Sequence, residues 1–342
     1  MDKANSQTLV GQSNHFLSVI ERISQLAPLD KPVLIIGERG TGKELVAERL
    51  HFLSGRWQHA FIKLNCAAIN ENLLESELFG HESGAFTGAS KKHAGRFERA
   101  HQGTLFLDEL ANTSQMVQEK LLRVIEYGEF ERVGGNQQIQ TDVRLIAATN
   151  EDLPALAQLG QFRADLLDRL AFDVVTLPPL RHRQEDILLL AEQFAVKMAR
   201  ELEMALFSGF TKDAEKALLE YHWPGNVREL KNVVERSVYR WNNPDVAIDD
   251  IIFDPFDSPF RPTTQATQTG NKENLMTANS RFEMPIDFKQ ASADFEISLL
   301  QSALKQSRFN QRKAAQLLQV SYHQLRGYLK KYQLLDAIRN DE

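Results

Sequence analysis

The feature that most constrains the fold is a short apolar run ending in a glycine-rich turn. Val33-Leu34-Ile35-Ile36 follows Pro32 and runs directly into Gly37-Glu38-Arg39-Gly40-Thr41-Gly42-Lys43-Glu44, after which apolar residues recur at helical spacing to Leu53. An unbroken apolar strand is buried on both faces, as strands of parallel sheets are. Further runs at Phe61–Leu64, Thr104–Leu107, Val143–Ile146 and Val174–Leu177 alternate with helical patterns such as Glu44–Leu53 and Gln115–Tyr127. Alternation of this kind predicts an α/β fold, a parallel sheet covered by helices on both faces.

The same loop predicts a ligand. Its glycines let backbone N–H groups turn inward around phosphates, the following helix N-terminus adds a favourable dipole, and Lys43 reaches the terminal phosphates. Gly37, Glu38, Arg39, Gly40, Thr41, Gly42, Lys43 and Glu44 are therefore expected to line a nucleotide site. Glu44 stands where a Ser or Thr hydroxyl ordinarily ligates magnesium. Asp108-Glu109 closes the run Thr104–Leu107 and sets two acids at a strand's carboxyl end, where open α/β sheets bind ligands. Asp108 is expected to hold Mg2+, directly or through water, with Thr41 as a further candidate, and Glu109 to polarise the attacking water. The expected chemistry is hydrolysis of Mg-ATP.

After Pro178-Pro179 the strand patterns stop, and Glu185–Glu201, Thr211–Tyr221 and Val227–Tyr239 carry apolar residues at helical spacing. Pro255, Pro259, Pro262 and Pro285 then lie among Thr, Gln, Asn and Ser, the composition of a linker. The expected divisions are an α/β ATPase part at 1–178, a helical part at 179–253, a linker at 254–287 and a terminal helical domain at 288–342. Cys66 is the sole cysteine, which excludes an intramolecular disulfide and suits a small buried apolar role. The histidines show no zinc-type pairing, so no structural metal is expected. There is neither an apolar stretch of ~20 residues nor a signal-peptide pattern, so a cytoplasmic protein with no membrane insertion is expected.

The net charge is −6, yet Ser302–Leu335 holds seven basic residues and no acidic one, so the acidic excess lies wholly outside that segment. Segregated basic charge favours phosphate contact. Within it, Arg312–Leu318 reads as one helix with Ala314, Ala315, Leu317 and Leu318 available for packing. Gln319-Val320 is the turn, and Ser321-x-x-Gln324 is a capping box opening the next helix. That second helix is expected to bury Leu325 and Leu329 and to present Tyr322, His323, Arg326 and Lys330 to the major groove. Gln319 stands where glycine is common, and Gly327 interrupts the helix at a cost of roughly 1 kcal/mol against alanine.

Four segments carry a resemblance: Glu77-Leu78-Phe79-Gly80-His81-Glu82, Gly84-Ala85-Phe86-Thr87-Gly88-Ala89, Phe162–Leu170, and Trp223-Pro224-Gly225-Asn226-Val227-Arg228-Glu229-Leu230. With them the chain resembles the bacterial enhancer-binding proteins, the AAA+ ATPases that activate RNA polymerase carrying sigma-54, over roughly residues 9–250 and the C-terminal segment. The resemblance implies an AAA+ P-loop NTPase sheet, an all-α lid and a Fis-type helix-turn-helix domain. It implies that Gly84, Ala85, Phe86, Thr87, Gly88 and Ala89 contact sigma-54 in a nucleotide-dependent way. Arg163 and Arg169 resemble arginine fingers serving a neighbouring subunit's ATP, which implies a homo-oligomer, a hexameric ring. Asn150 resembles the first sensor, Arg228 the second, and Asn65 the residue that holds the catalytic glutamate inactive. The implied activity is ATP-driven opening of promoter complexes from upstream enhancer DNA.

Only about 30 residues precede the motor strand, against about 100 for a receiver domain, so control by an attached phosphorylated domain is not expected. For this arrangement the resemblance implies the phage shock operon as target and a separate inhibitor protein of the phage shock system acting in trans. Trp57, in a polar stretch, is a candidate contact for that inhibitor. Two rival readings are a general remodelling motor such as a helicase loader, and a DNA-binding repressor with a degenerate nucleotide module.

Overall fold

The computed structural model describes residues 9–204, 206–241, 243, 245–257, 261, 288–307 and 311–332. Most of the expected linker, and Arg308 of the basic segment, lie outside the described residues. The chain divides into two compact units, 1–261 and 262–342.

In the first unit the strands are β1 Val33–Ile36, β2 Phe61–Asn65, β3 Thr104–Asp108, β4 Glu129–Glu131, β5 Gln138–Gln140, β6 Arg144–Thr149 and β7 Val174–Thr176. Five of them form a parallel sheet in the order β2-β3-β6-β1-β7, while β4 and β5 pair antiparallel apart from it. Side chains alternate across each strand. Leu34, Leu105, Leu107 and Leu145 enter a core on one face with Leu78, Leu121 and Leu166 from helices Glu71–Phe79, Gln115–Tyr127 and Ala164–Leu170. Val33, Ile35, Phe106 and Ile146 enter the other with Ile23 and Leu50 from helices Asn14–Leu26 and Lys43–Phe52. Both faces are thus covered, as the apolar runs predict.

Register fixes the site. Ile36 lies beside Thr149, and Asn65 beside Asp108, so the loops after β1, β2, β3 and β6 all leave from one edge of the sheet.

Helices Gln184–Glu201, Lys212–Glu220 and Asn226–Arg240 pack around Leu190, Leu218, Trp223, Leu230 and Val234. Asp186, on the first turn of the first of these helices, is fully buried and therefore needs partners. It accepts from Gln12 N at 2.5 Å, Ser13 N at 2.9 Å, Ser13 Oγ at 2.7 Å and Arg183 Nε at 2.8 Å. Arg183 in turn lies 3.8 Å over the Phe16 ring.

The second unit holds helices Phe288–Gln306, Gln311–Leu317 and Tyr322–Lys331 around Leu300, Leu304, Ala314, Leu325 and Leu329. The turn between the last two puts Gln319 at φ +54°, the left-handed region that glycine favours. Ser321 Oγ accepts from Gln324 N at 3.3 Å, and Gln324 Oε1 accepts from Ser321 N at 2.9 Å, closing the capping box. Leu317 corrects its expectation. It is exposed, because Ala314, Ala315 and Leu318 already line the inner face and residue 317 falls one position off that stripe.

Candidate nucleotide site and output loop

The phosphate loop wraps a backbone carbonyl. Glu38 O accepts from Thr41 Oγ1 at 2.8 Å and from Lys43 Nζ at 3.4 Å, and Lys43 Nζ also donates to Gly37 O at 2.9 Å. Gly42 sits at φ +100°, and a Cβ there would meet nothing within 4 Å. The loop therefore leaves an open cradle in front of helix Lys43–Phe52. Lys43 is buried, and burial pushes its ammonium pKa down while Glu109 and Asp108 pull it up. Arg228 and Arg39 add a smaller repulsion at the same amine.

At the end of β3, Asp108 Oδ1 accepts from Glu109 N at 3.0 Å, and Oδ2 accepts from Asn65 Nδ2 at 3.4 Å. Asn65 Oδ1 caps the next turn by accepting from Ala67 N and Ala68 N. Its amide thus faces Asp108, the neighbour that the register dictates. Glu109 holds φ +54°, a backbone conformation costly for a glutamate and typical of functional sites. Asn150 follows β6, and its Oδ1 is buried with no hydrogen-bond partner among the described residues. Cys66 lies beneath, its thiol pushed up to about 12 by burial and then by Asp108 and Glu109. It is an inert floor.

Glu44 is turned away from a hydroxyl's role. Its carboxylate accepts from Lys63 Nζ at 2.8 Å, and Glu48 binds the same ammonium. Sequence reasoning missed a second pairing of this loop. Glu38 carries its carboxylate outward, where Arg181 and Asn226 bind it, partners far away in sequence. The one signal available was a carboxylate inside a loop otherwise suited to anions.

The Gly84–Ala89 segment is held at its base. Gly84 N donates to Ala89 O at 2.7 Å, and Ala89 N to Phe86 O at 2.9 Å. Glu82 N donates to Val133 O, joining the loop to the segment after β4. Phe86 is half-exposed and rests edge-on against His81 at 5.0 Å, while Thr87 is exposed.

Residues 9–176 match the sigma-54 interaction domain, 181–267 the AAA+ ATPase lid domain, and 292–332 the Fis family of bacterial regulatory proteins. The chain is 62% identical to the Psp operon transcriptional activator of Escherichia coli K12 over 326 residues, 95% of this chain and 98% of that one. The chain belongs to the sigma-54-dependent AAA+ activators. Against the regulatory protein ZraR of Klebsiella oxytoca it is 52% identical over 230 residues, spanning about half of that protein. The crystal structure of NtrX from Brucella abortus in complex with ADP aligns at a TM-score of 0.68 and 31% identity, covering 96% of this chain and 70% of that one.

In this sigma-54-dependent activator with a Fis-type DNA-binding domain, the arginines after β6 are held in ion pairs of their own. Arg163 pairs with Asp165 at 2.7 Å and Arg169 with Glu126 at 2.6 Å. Among the described residues, no hydrogen bond or ion pair of either arginine reaches the chain's own Lys43, Asp108 or Glu109. Arg228 N donates to Gly40 O at 3.3 Å, which sets this lid residue over the phosphate loop. Trp57 is 56% exposed, close in sequence to exposed Phe52 and Leu53. On the last helix of the second unit, Tyr322, His323, Arg326 and Lys330 are exposed. No helix among the described residues is long and apolar enough to cross a membrane.

Proposed function

We propose that the chain hydrolyses Mg-ATP and uses it to open sigma-54 promoter complexes, with the phage shock operon as its target. The observation that carries the reading is the phosphate loop itself, in which Lys43 donates to the Gly37 and Glu38 carbonyls, Gly42 stays open, Arg228 N donates to Gly40 O, and Asp108-Glu109 ends a strand at the same edge of the sheet. The orphaned Asn150 Oδ1 supports it, since a buried acceptor at the end of β6 suits an ordered attacking water.

In this reading the loop N–H groups and Lys43 bind the β- and γ-phosphates, and Glu109 orients and polarises water for in-line attack. Mg2+ would be held by Asp108, whose Oδ2 has only a long bond to Asn65 among the described residues, and would neutralise charge on the phosphates. Asn65, bonded to Asp108, restrains the adjoining catalytic Glu109 until the nucleotide state changes. Arg163 and Arg169 complete a neighbour's site in a hexamer, each exchanging its own carboxylate partner for phosphate oxygens. Phe86 and Thr87 transmit the change to sigma-54. Tyr322, His323, Arg326 and Lys330 read enhancer DNA.

A separate inhibitor protein docks at Trp57, where an exposed tryptophan supplies an interface anchor. A Trp57→Ala chain that stays fully inhibited would remove that surface from the proposal. For the whole reading, the test is open-complex formation on a sigma-54 promoter with and without ATP. ATP dependence that disappears in Lys43→Ala supports it. Opening without ATP, or on promoters that need no sigma-54, refutes it.

A further inference from the structure

The second residue of the phosphate loop is tied to the lid. Glu38 Oε2 accepts from Arg181 Nη1 at 2.8 Å and Oε1 from Arg181 Nη2 at 2.5 Å, a two-pronged guanidinium–carboxylate pair. Arg181 belongs to the short turn Leu180–His182, which leads into lid helix Gln184–Glu201. Asn226 completes the cluster. Its Nδ2 donates to Glu38 Oε2 at 3.1 Å and to Arg39 O at 3.0 Å, while its Oδ1 accepts from Leu180 N at 2.8 Å. Asn226 is fully buried at φ +51° and opens helix Asn226–Arg240, the helix that carries Arg228.

Two further contacts join the same parts. Arg228 N donates to Gly40 O, and a Cβ on Gly40 would collide with the carbonyl of Gly225. The loop thus meets the lid turn at three successive places, Glu38, Arg39 and Gly40. Inside the loop, the Glu38 carbonyl is the acceptor shared by Thr41 and Lys43. One residue therefore organises the phosphate cradle with its backbone and grips the lid with its side chain. A carboxylate next to bound phosphates is otherwise unfavourable, and this clasp neutralises it.

We propose that Glu38 and Arg181 form a clasp that pre-orders the phosphate loop against the lid, so that nucleotide affinity depends on a side-chain pair on the lid side of the loop. The proposal rests on the reading of this loop as the ATP site. Both residues are positioning residues. Losing either prong partner frees the loop to sample other conformations, and ordering it again is then charged to binding. Because one pair carries the effect, removing both partners should cost no more than removing one.

The test is ADP affinity, by titration of the full chain with a fluorescent ADP analogue, for Glu38→Gln, Arg181→Met, Arg181→Lys, the Glu38→Gln/Arg181→Met double variant and Lys43→Ala. Each single clasp variant is expected to weaken binding about tenfold, the double variant by about the same factor, and Arg181→Lys by less. Thermal melting without nucleotide is run beside it. Wild-type affinity in Arg181→Met, with or without a lowered melting temperature, overturns the clasp, as do strictly additive losses in the double variant. Normal binding by Lys43→Ala would instead overturn the assignment of the site itself, which separates the two failures.

Discussion

The phosphate loop and the Gly84–Ala89 loop are built from the same residue to opposite ends. Gly40 and Gly42 in one, and Gly84 and Gly88 in the other, all hold positive φ. Around Gly40 the missing Cβ is the condition for close packing, because Gly225 and Arg228 occupy the space a side chain would need. Around Gly84 and Gly88 there is nothing within 4 Å, so glycine supplies conformational freedom alone. The first loop is clamped from several directions by Lys43, Thr41, Arg181 and Asn226. The second is closed by bonds at its base, with Phe86 leaning on His81 and Ala85 close beside Gly134. Chemistry needs fixed distances, and a moving contact needs a tip that is cheap to displace.

The sharpest way to break that contrast is to remove one functional side chain from each loop. Lys43→Ala should lower ATP turnover by on the order of 100-fold or more, measured by phosphate release. Thr87→Ala should leave turnover within about twofold while open-complex yield on a sigma-54 promoter falls by about tenfold or more. Comparable loss of turnover in both variants would mean that the loops are not separable.

Alanine at the glycines sharpens the same point on stability. Gly40→Ala combines left-handed strain with a collision and should cost about 2–3 kcal/mol, read from denaturant unfolding. Gly84→Ala meets strain only and should cost about 1 kcal/mol. Equal losses would remove the packing argument.

A smaller effect is expected in acid. Arg181, and then Asn226, hold the Glu38 carboxyl at about 2 against an ordinary 4.5. Its folded-state pKa is lowered, so its contribution is complete above about 4.5 and is lost as pH falls toward about 2. The side chain is 42% exposed, so solvent screens much of this. Melting curves of wild type and Glu38→Gln should converge as pH drops through that window. Curves that stay parallel would contradict the pairing. The smallest effect concerns the floor of the site: Cys66, buried and with its thiol near 12, should resist iodoacetamide at neutral pH in the folded chain and react once unfolded.

Much of the motor was legible from local chemistry. The β1 strand Val33–Ile36 and the helix Gln115–Tyr127 fall where the apolar pattern puts them, and in the structure Ser114 caps the start of that helix while Gly128 takes φ +69° at its end. The hairpin Glu129–Glu131 and Gln138–Gln140 escaped notice, since its polar residues carry no apolar period. The loop sequences marked where phosphates would sit. They gave no sign that Glu38 reaches Arg181, or that Glu44 turns to Lys63, because such pairings are created by tertiary approach and leave no periodic trace. For the same reason the resemblance assigns Asn65 to the catalytic glutamate, whereas the register of β2 against β3 directs its amide to the neighbouring Asp108.

The buried Asp186 cluster has a practical corollary. Gln12 and Ser13 are bonded to the first turn of a lid helix, so the path by which the chain enters the motor is moored to the lid. Any tag, tether or domain spliced on ahead of Gln12 would have its lever arm there. A force applied at that end would act on the Gln12 and Ser13 bonds to Asp186 of the lid helix as well as on the helix Asn14–Leu26 packed against the sheet.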